Sequence, residues 1–265
     1  MMKKIVLTTD FSAASTTALN YMLAFTAQID AELLVLHVNQ SQSAFPMDDS
    51  LKMEIEAQKT AEAKQHLRHW IGQYPDQFPD PQAIYSKLRF FVRSGSVSDT
   101  ILAFAREHEV DVIELGIRQK NYWWEYLLGN TSSYLIQHSP LPLFIIPEHC
   151  IFETIQHIVF ASKTTVEELP VFTLLRPLAA ALNASLEKVS IQIESLGPPR
   201  EEKHKNIHQI YADEIANGLS YYLKHHETDL ISLFVPHRSF WENLLHHSVS
   251  EELVRKIRRP FLILK

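Results

Sequence analysis

Short apolar runs alternate with segments of helical period along the whole chain, and this alternation constrains the fold more than any other feature of the sequence. Five runs in the first half have the composition of buried parallel strands: "KKIVLTT", "AELLVLHV", "KLRFFV", "VDVIELG" and "LPLFIIP". Helical patterns between them run from about Ser12 to Gln28, from Leu51 to Tyr74, and from a capping box of Ser96 and Asp99 to near His108. This order predicts an α/β fold with a parallel sheet and helices on both faces.

The same pattern occurs twice in the chain. "KIVLTTDF" resembles "HIVFASKT", and "VDVIELGIRQKNYWWEYLLGN" resembles "TDLISLFVPHRSFWENLLHHS", so that Asp111 aligns with Asp229. The second copy lacks the long segment between its second and third strands, where "IQIESLGPPREEKHKN" makes a short connection, and it therefore has about one helix fewer. We predict two tandem doubly wound domains, each with a five-stranded parallel sheet, over residues 1–149 and 150–265, with the boundary near Pro147 to Glu153.

Composition excludes several classes of protein. The 265 residues carry a formal net charge of -6 without a basic cluster, so nucleic acid and membrane partners are not expected. The single cysteine, Cys150, cannot form an internal disulfide and indicates a reducing compartment. No apolar run reaches the length of a signal-peptide core or of a membrane helix, so we expect a cytoplasmic protein.

The segment from Gly116 to Ser132 contains the best candidate for a ligand site. In doubly wound sheets, ligands bind outside the carboxyl ends of the strands at the switch point between the first and fourth strands, where Asp10 and this segment fall. Gly116 and Gly129 would let the backbone approach a phosphate closely. The alternative is that Gly116 only ends a strand and Gly129 only caps a turn.

The residues after Gly129 add further groups that suit an anion. A helix beginning about Asn130 would direct free N–H groups and its positive dipole end at a phosphate. Thr131 and Ser132 would supply hydroxyl donors, and Arg118 a positive charge.

At these residues the chain resembles the universal stress protein family (UspA-like), here as a tandem pair. The resemblance rests on "VLTTDFS", "LLVLHV" and "DVIELG" at the first, second and fourth strands, and on Gly116-x-x-Gln119-x9-Gly129-Asn130 leading into "YLIQHSPLPLFIIP". It covers nearly all of the first repeat and, more faintly, all of the second. It implies a Rossmann-like, adenine nucleotide alpha hydrolase-like fold whose five-stranded sheet dimerises through its last strand. Many members bind ATP at this edge, and others bind no nucleotide.

The resemblance implies a nucleotide site with three parts: Asp10 and Val38 near the adenosine, Gly116 and Arg118 beside the ribose and phosphates, and Gly129, Asn130 and Thr131 around the phosphates. The ATP-binding pattern of the family is Gly-x2-Gly-x9-Gly-Ser/Thr, and this chain departs from it twice. Gln119 places a side chain where the backbone would pass close to phosphate, and Asn130 replaces the hydroxyl residue but can still cap the helix. The expected Mg-ATP site of the first domain is therefore weakened.

The second domain is expected to bind no nucleotide. Lys163 stands at the Asp10 position, and the three glycine positions hold Phe234, His237 and His247. Ser248 remains, but it forms a capping box with Glu251, so a carboxylate already occupies that helix N-terminus. The resemblance implies that this domain pairs with the first as two chains pair in the family's dimers, and it leaves open a further homodimer of the tandem chain.

The aromatic segments, the histidines and a search for catalytic motifs give no further predicted site. The aromatic residues of "YWWEYLL", Tyr122 to Leu128, recur as "FWENLL" in the second repeat without the glycines, so we interpret them as packing residues. The fourteen histidines show neither an HExxH motif nor a cysteine partner, so no metal site is predicted. No Walker A sequence, nucleophile elbow or motif-placed carboxylate pair occurs, so no enzyme activity is predicted, with slow ATP hydrolysis left open.

Two functions agree with these features. The first is a nucleotide-responsive stress protein whose first domain binds ATP. The second is a nucleotide-free interaction or chaperone-like scaffold, in which the insertion from Gln40 to Tyr74 contacts a protein partner that the sequence does not identify.

Overall fold

The computed structural model of the protein describes residues 2–40, 48–72, 74–118, 130–162, 172–194, 197–204, 207–234 and 259–265. In these residues the first half of the chain contains five strands and five α-helices: β1 (Lys4–Thr9), α1 (Ala13–Ile29), β2 (Glu32–Asn39), α2 (Asp49–Ile71), α3 (Pro81–Lys87), β3 (Leu88–Ser94), α4 (Val97–Glu107), β4 (Val112–Ile117), α5 (Asn130–His138) and β5 (Leu143–Pro147). A short 3-10 helix, Pro75–Gln77, lies between α2 and α3. The described part of the second half contains six strands and two helices: β6 (His157–Ser162), α6 (Phe172–Leu182), β7 (Ser185–Ile193), β8 (Arg200–His204), β9 (Ile207–Ala212), α7 (Ile215–His225), β10 (Leu230–Phe234) and β11 (Phe261–Leu264).

All of these strands form one sheet, in the order β3-β2-β1-β4-β5-β11-β10-β6-β7-β9-β8. Neighbouring strands within each half are parallel, apart from β8, which pairs antiparallel with β9 at the edge. At the centre, β5 and β11 pair antiparallel, with Phe144 opposite Leu262. The second half therefore repeats the strand order of the first half after a half-turn. The predicted α/β class with doubly wound parallel strands is confirmed.

Alternate residues of each strand enter two hydrophobic cores, one on each face of the sheet. On one face, Val6 and Leu34 belong to the core formed with α4, α5 and α7. On the opposite face, Ile5 and Leu33 belong to the core formed with α1, α2, α3 and α6. Each core includes strands from both halves, so the burial of apolar surface stabilises the two halves as one body.

Two aspartates show the internal repeat in atomic detail. The Asp111 carboxylate accepts hydrogen bonds from the backbone N–H groups of Lys3 at 2.7 Å and Lys4 at 3.0 Å. The Asp229 carboxylate accepts two from the backbone N–H groups of residues 156 and 157, both at 2.9 Å. In each half, the aspartate that precedes the fourth strand thus fixes the start of the first strand.

The structure differs from the sequence predictions in three elements. The connection after β7, predicted only as a short connection, contains an additional strand, β8, because the polar segment "REEKH" pairs with β9 as a hairpin. The segment between α2 and β3 forms α3, which begins after the N-cap residue Asp80. Ser96 is the N-cap residue of α4, but its side chain makes no capping hydrogen bond. The Asp99 carboxylate accepts a hydrogen bond from the Tyr134 hydroxyl at 3.3 Å, so the predicted capping box is wrong.

The connection between β5 and β6, residues 148–156, forms neither helix nor strand. The predicted boundary lies in this connection, and the division into residues 1–149 and 150–265 stays a prediction. The predicted aromatic packing segments "YWWEYLL" and "FWENLL" lie outside the described residues. None of the helices in the described ranges has the length and apolar character needed to cross a bilayer.

Candidate functional site

A cavity of about 460 Å³ opens at the carboxyl ends of β1, β2 and β4, beneath α4 and the start of α5. After β1 the chain passes to α1 on one face of the sheet, and after β4 it returns to α5 on the opposite face. This divergence is the switch point at which doubly wound sheets bind ligands. The volume lies within the range of ordinary small-molecule sites.

Five of the predicted site residues, Asp10, Val38, Gly116, Arg118 and Thr131, line this one cavity. Asn130 is the first residue of α5, as predicted, and its side chain is not among those described. Gly129 and Gln119 lie outside the described residues. The structure therefore brings together the described members of the predicted set, whereas their roles toward a ligand stay a prediction.

Asp10 is held in one orientation by the turn that leads into α1. Its Oδ1 atom accepts hydrogen bonds from the Ser12 backbone N–H at 3.0 Å and from the Ser15 hydroxyl at 2.8 Å. Partial burial raises the pKa of the Asp10 carboxyl, but the hydrogen bonds from Ser12 and Ser15, with the nearby Arg118 charge, outweigh that effect and lower the pKa below its ordinary value. Asp10 is thus a fixed anion at neutral pH.

Arg118 lies across the cavity mouth from Asp10. Its Nη2 atom is 3.6 Å from Oδ2 of Asp10, and the two side chains are 70% and 64% exposed. An ion pair this exposed contributes little to stability, so the guanidinium can leave the carboxylate for another anion at small cost. Among the described residues that line the cavity, Arg118 carries the single permanent positive charge.

An aromatic cluster that the sequence did not predict lies next to Asp10, and one of its members, His37, lines the cavity. Phe11 has a φ of 62°, an unusual left-handed conformation for a residue with a side chain. Its ring stacks on His66 at 4.2 Å and contacts Trp70 of α2 edge-on at 5.5 Å, measured between ring centroids. The ring of His37, which lines the cavity, lies 4.5 Å from Phe11 and contacts the Thr9 carbonyl oxygen through Nδ1 at 2.8 Å. The cluster thus fixes the end of β1.

Gly116 has a packing role that is independent of any ligand. It lies inside β4, and a Cβ atom there would come within 2.8 Å of the Ala14 carbonyl oxygen and 3.0 Å of the Ala18 Cβ. Contacts this short exclude a side chain, so glycine is what allows α1 to approach the sheet closely. This agrees with the alternative that the glycine serves the strand. Its backbone nevertheless lines the cavity.

The start of α5 supplies the groups that suit an anion. Thr131 and Ser132 lie in its first turn and line the cavity. The backbone N–H groups of a first turn have no partners within the helix, and they carry the positive end of its dipole. The floor of the cavity is apolar and consists of Leu36, Val38, Val97, Ile101 and Leu115.

Cys150 lies away from this cavity and is 4% exposed. Burial raises the pKa of its thiol to about 12, so the thiolate needed for nucleophilic chemistry is not populated at neutral pH. In the second half, Phe234 ends β10 at the position of Gly116, as the internal alignment predicts. The predicted counterparts Lys163, His237, His247, Ser248 and Glu251 lie outside the described residues.

Comparison with solved structures supports the fold. A universal stress protein from Archaeoglobus fulgidus DSM 4304 superimposes with a TM-score of 0.71 and 14% identity, covering 99% of this chain and 98% of that chain. A functionally unknown protein from Pseudomonas aeruginosa PAO1 superimposes with a TM-score of 0.54 and 11% identity, covering 100% of this chain and 92% of that chain. At these identities the likeness concerns the fold alone.

Curated relatives resemble about half of the chain. Universal stress protein G of Salmonella typhimurium is 28% identical over 126 residues, which are 46% of this chain and 82% of the relative. A universal stress protein of Methanocaldococcus jannaschii is 24% identical over 161 residues, covering 55% of this chain and 95% of the relative. The model of the universal stress protein family matches residues 1–147. Because this match spans more than half of the chain, the chain belongs to the universal stress protein family.

Proposed function

We propose that the first half of this universal stress protein binds an adenine nucleotide in the cavity at the carboxyl ends of β1 and β4. The observation that carries the proposal is the convergence of Asp10, Val38, Gly116, Arg118 and Thr131 on one cavity at the switch point of the sheet.

The polarity of the cavity determines how the ligand would lie. The apolar floor around Val38 and Leu115 suits the adenine ring. The fixed anion Asp10 repels phosphate and instead accepts hydrogen bonds from ribose hydroxyls. The phosphates would therefore extend toward the first turn of α5, where Thr131 lines the cavity and the backbone N–H groups have no partners within the helix.

Arg118 would help to neutralise the phosphates. It loses only an exposed contact with Asp10 when it turns toward them. Mg²⁺ would supply further positive charge, because it normally binds through phosphate oxygens and water. In our proposal the nucleotide acts as a signal and is not converted, and the second half has no corresponding site because Phe234 replaces Gly116.

Calorimetric titration of nucleotide-stripped, full-length protein with ATP, ADP, adenosine and cAMP, each with and without Mg²⁺, tests the proposal. We expect ATP to bind to one site per chain. Asp10→Ala should weaken binding at least about tenfold through loss of a charge-assisted hydrogen bond. Asp213→Ala is the matched control, since Asp213 is an exposed aspartate after a strand of the second half, and it should leave binding unchanged.

A failure of every nucleotide to bind at millimolar concentration would disprove the proposal. Gln119→Gly adds a second test from the sequence, because it restores the family's glycine. It should strengthen ATP binding, and an unchanged affinity would show that a side chain at this position does not obstruct the phosphates.

The exposed surface of α2 favours the scaffold function as a second candidate. Leu51 and Met53 near its start are 48% and 71% exposed, whereas Leu67 and Ile71 near its end are buried against the sheet. Photocrosslinking from position 53, with Lys59 of the same helix as the control position, tests this surface. Specific crosslinks from position 53 alone, together with no nucleotide binding, would favour the scaffold.

A further inference from the structure

Three side chains with metal-binding atoms converge in the second half, far along the sheet from the cavity. Glu201 lies on β8, His208 on β9, and His226 directly after α7. Oε2 of Glu201 is 2.8 Å from Nε2 of His226, and Oε1 of Glu201 is hydrogen-bonded to Nδ1 of His208. The ligand atoms of all three residues lie within 4.8 Å of one another.

The two imidazole rings also contact residues outside the cluster, which fix their orientation. His208 is 4% exposed, and its second nitrogen, Nε2, lies 3.7 Å from Oε2 of Glu187 on β7. The Tyr222 hydroxyl donates a hydrogen bond to the same Oε2 atom. The Tyr222 ring stacks on the His226 ring, with centroids 4.1 Å apart and planes 14° apart. Both rings are therefore oriented before any ion binds.

The first half shows how the equivalent three positions pack without forming such a cluster of metal-binding atoms in the described residues. The internal repeat aligns His208 with Phe91, Tyr222 with Phe104, and His226 with His108. The first trio is equally compact, with ring centroids 4.9 Å apart for Phe91 and Phe104 and 4.1 Å apart for Phe104 and His108.

The carboxylates of Glu187 and Glu201 have no equivalents at the corresponding described positions of the first half. Leu34, which the repeat aligns with Glu187, is a buried core residue, and β8, which carries Glu201, has no counterpart in the described residues of the first half. The second half has thus replaced apolar core positions with carboxylate, imidazole and phenol groups around one point. Packing does not require that replacement, because the first half packs without it.

We propose that Glu201, His208 and His226 bind a divalent transition metal ion, with zinc as the preferred ion. Two imidazole nitrogens and one carboxylate oxygen form a donor set that zinc accepts, with water in the fourth position. Glu201 and His226 are 19% and 26% exposed, so an ion can reach the site from solvent. The proposal departs from the sequence-based expectation of no metal site, because the three ligands come from three separate elements.

Glu187 has a defined role in this site. When Nδ1 of His208 binds the ion, the ring proton must be on Nε2, and the Glu187 carboxylate, 3.7 Å away, would accept that proton in a hydrogen bond after a small shift. Carboxylate partners of this kind fix the tautomer of metal-binding histidines, and their loss typically weakens metal binding about 10- to 100-fold.

The test is zinc titration of the full-length, chelator-treated protein in competition with a chromophoric chelator, with Co²⁺ absorption as a report on coordination geometry. We expect one zinc ion per chain with submicromolar affinity. Glu201→Gln and His226→Gln should each weaken it at least about 100-fold, and Glu187→Gln about tenfold. Far-UV circular dichroism of each apo variant shows whether it is folded, and Glu201→Gln keeps the shape of the side chain if His226→Gln proves unstable.

His225→Gln is the matched control, because His225 adjoins His226 but lies outside the cluster, with its Nδ1 bonded to the Tyr221 carbonyl oxygen. It should bind zinc like the wild type. The chain contains fourteen histidines, so nonspecific binding has to be separated from the site. Equal losses in His225→Gln and His226→Gln, or a wild-type affinity weaker than about 10 μM, would show that the cluster is only a hydrogen-bonded network.

Discussion

The two halves of the protein share the contact that fixes the start of their first strand, and they differ at the sheet edge where we propose that a nucleotide binds. Asp111 and Asp229 each accept two backbone hydrogen bonds at the start of the first strand of their half. At the end of the fourth strand, however, Gly116 of one half corresponds to Phe234 of the other. The halves therefore agree in a contact that the sheet needs and differ at a position that lines the proposed nucleotide site.

The polar groups of the interior have diverged in the same way. Glu114 and Ser232 occupy equivalent positions and are both completely buried. The Ser232 hydroxyl donates a hydrogen bond to the Leu262 carbonyl oxygen at 3.3 Å, whereas neither carboxylate oxygen of Glu114 has a hydrogen-bond partner in the described part of the chain. The second half has a satisfied hydroxyl where the first half has an isolated acid.

The largest expected effect comes from placing one side chain at the position that differs most. Gly116→Val puts a Cβ atom 2.8 Å from the Ala14 carbonyl oxygen, so α1 must move away from the sheet, at a cost of about 3 kcal/mol. Phe234→Val at the equivalent position only removes part of a half-buried ring and should cost about 1 kcal/mol. Urea denaturation measures the free energy of unfolding of both variants. Equal losses would show that α1 is packed against the sheet no more tightly than α6, the equivalent helix of the second half.

The second expected effect tests whether the retained aspartates are equivalent. Asp111→Ala and Asp229→Ala each remove an ionised acceptor of two backbone hydrogen bonds, so each should lower the free energy of unfolding by about 2 kcal/mol. The comparison is made by denaturation of both variants in the same buffer. A loss confined to one variant would mean that only one half depends on this contact.

The third expected effect is a pH dependence that only the first half should cause. Burial raises the pKa of Glu114 well above its ordinary value. The backbone N–H of Thr8 is near enough to lower this pKa slightly, but it does not form a hydrogen bond with the carboxylate. The folded state therefore keeps the proton at a pH where the unfolded state has lost it. This contribution to stability is complete below the ordinary pKa and declines as the pH rises toward the raised pKa, by about 1.4 kcal/mol per pH unit.

Glu114→Met, which is apolar and similar in length, should abolish this decline and stabilise the protein at neutral pH by about 1 kcal/mol. Thermal unfolding of both proteins over a series of pH values measures the slope. An unchanged slope in the variant would assign the pH dependence to another group.

The parts of the fold that the sequence predicted are those that local patterns determine. The alternation of apolar strands and amphipathic helices, and the alignment of Asp111 with Asp229, are read directly from the order of residues. β8 was missed because "REEKH" has no apolar alternation and becomes a strand only by pairing with β9. The capping box at Ser96 was wrong because the Asp99 carboxylate contacts Tyr134, a residue of a different helix.

The same distinction applies to the sites. Asp10 and Arg118 follow the first and fourth strands, and the rule that ligands bind at the carboxyl ends of parallel strands predicts their meeting. The contacts of Phe11 with His66 and Trp70 depend on how α2 packs, which no local pattern encodes. The convergence of Glu201 and His208 likewise requires the register of the β8 hairpin.

The smallest expected effect on stability separates the ligand edge from the fold. Arg118→Gln removes an ion pair whose partners are largely exposed, so the free energy of unfolding should change by no more than about 0.5 kcal/mol. If Arg118 contacts phosphates, the same variant should bind ATP about tenfold more weakly while it binds adenosine as the wild type does. Arg200→Gln is the control, because it removes a surface ion pair with Glu194 in the second half. It should leave ATP binding unchanged and change the free energy of unfolding by no more than about 0.5 kcal/mol. A large loss of stability in Arg118→Gln would place this arginine among the structural residues that the two halves need, and equal losses for ATP and adenosine would place it away from the phosphates.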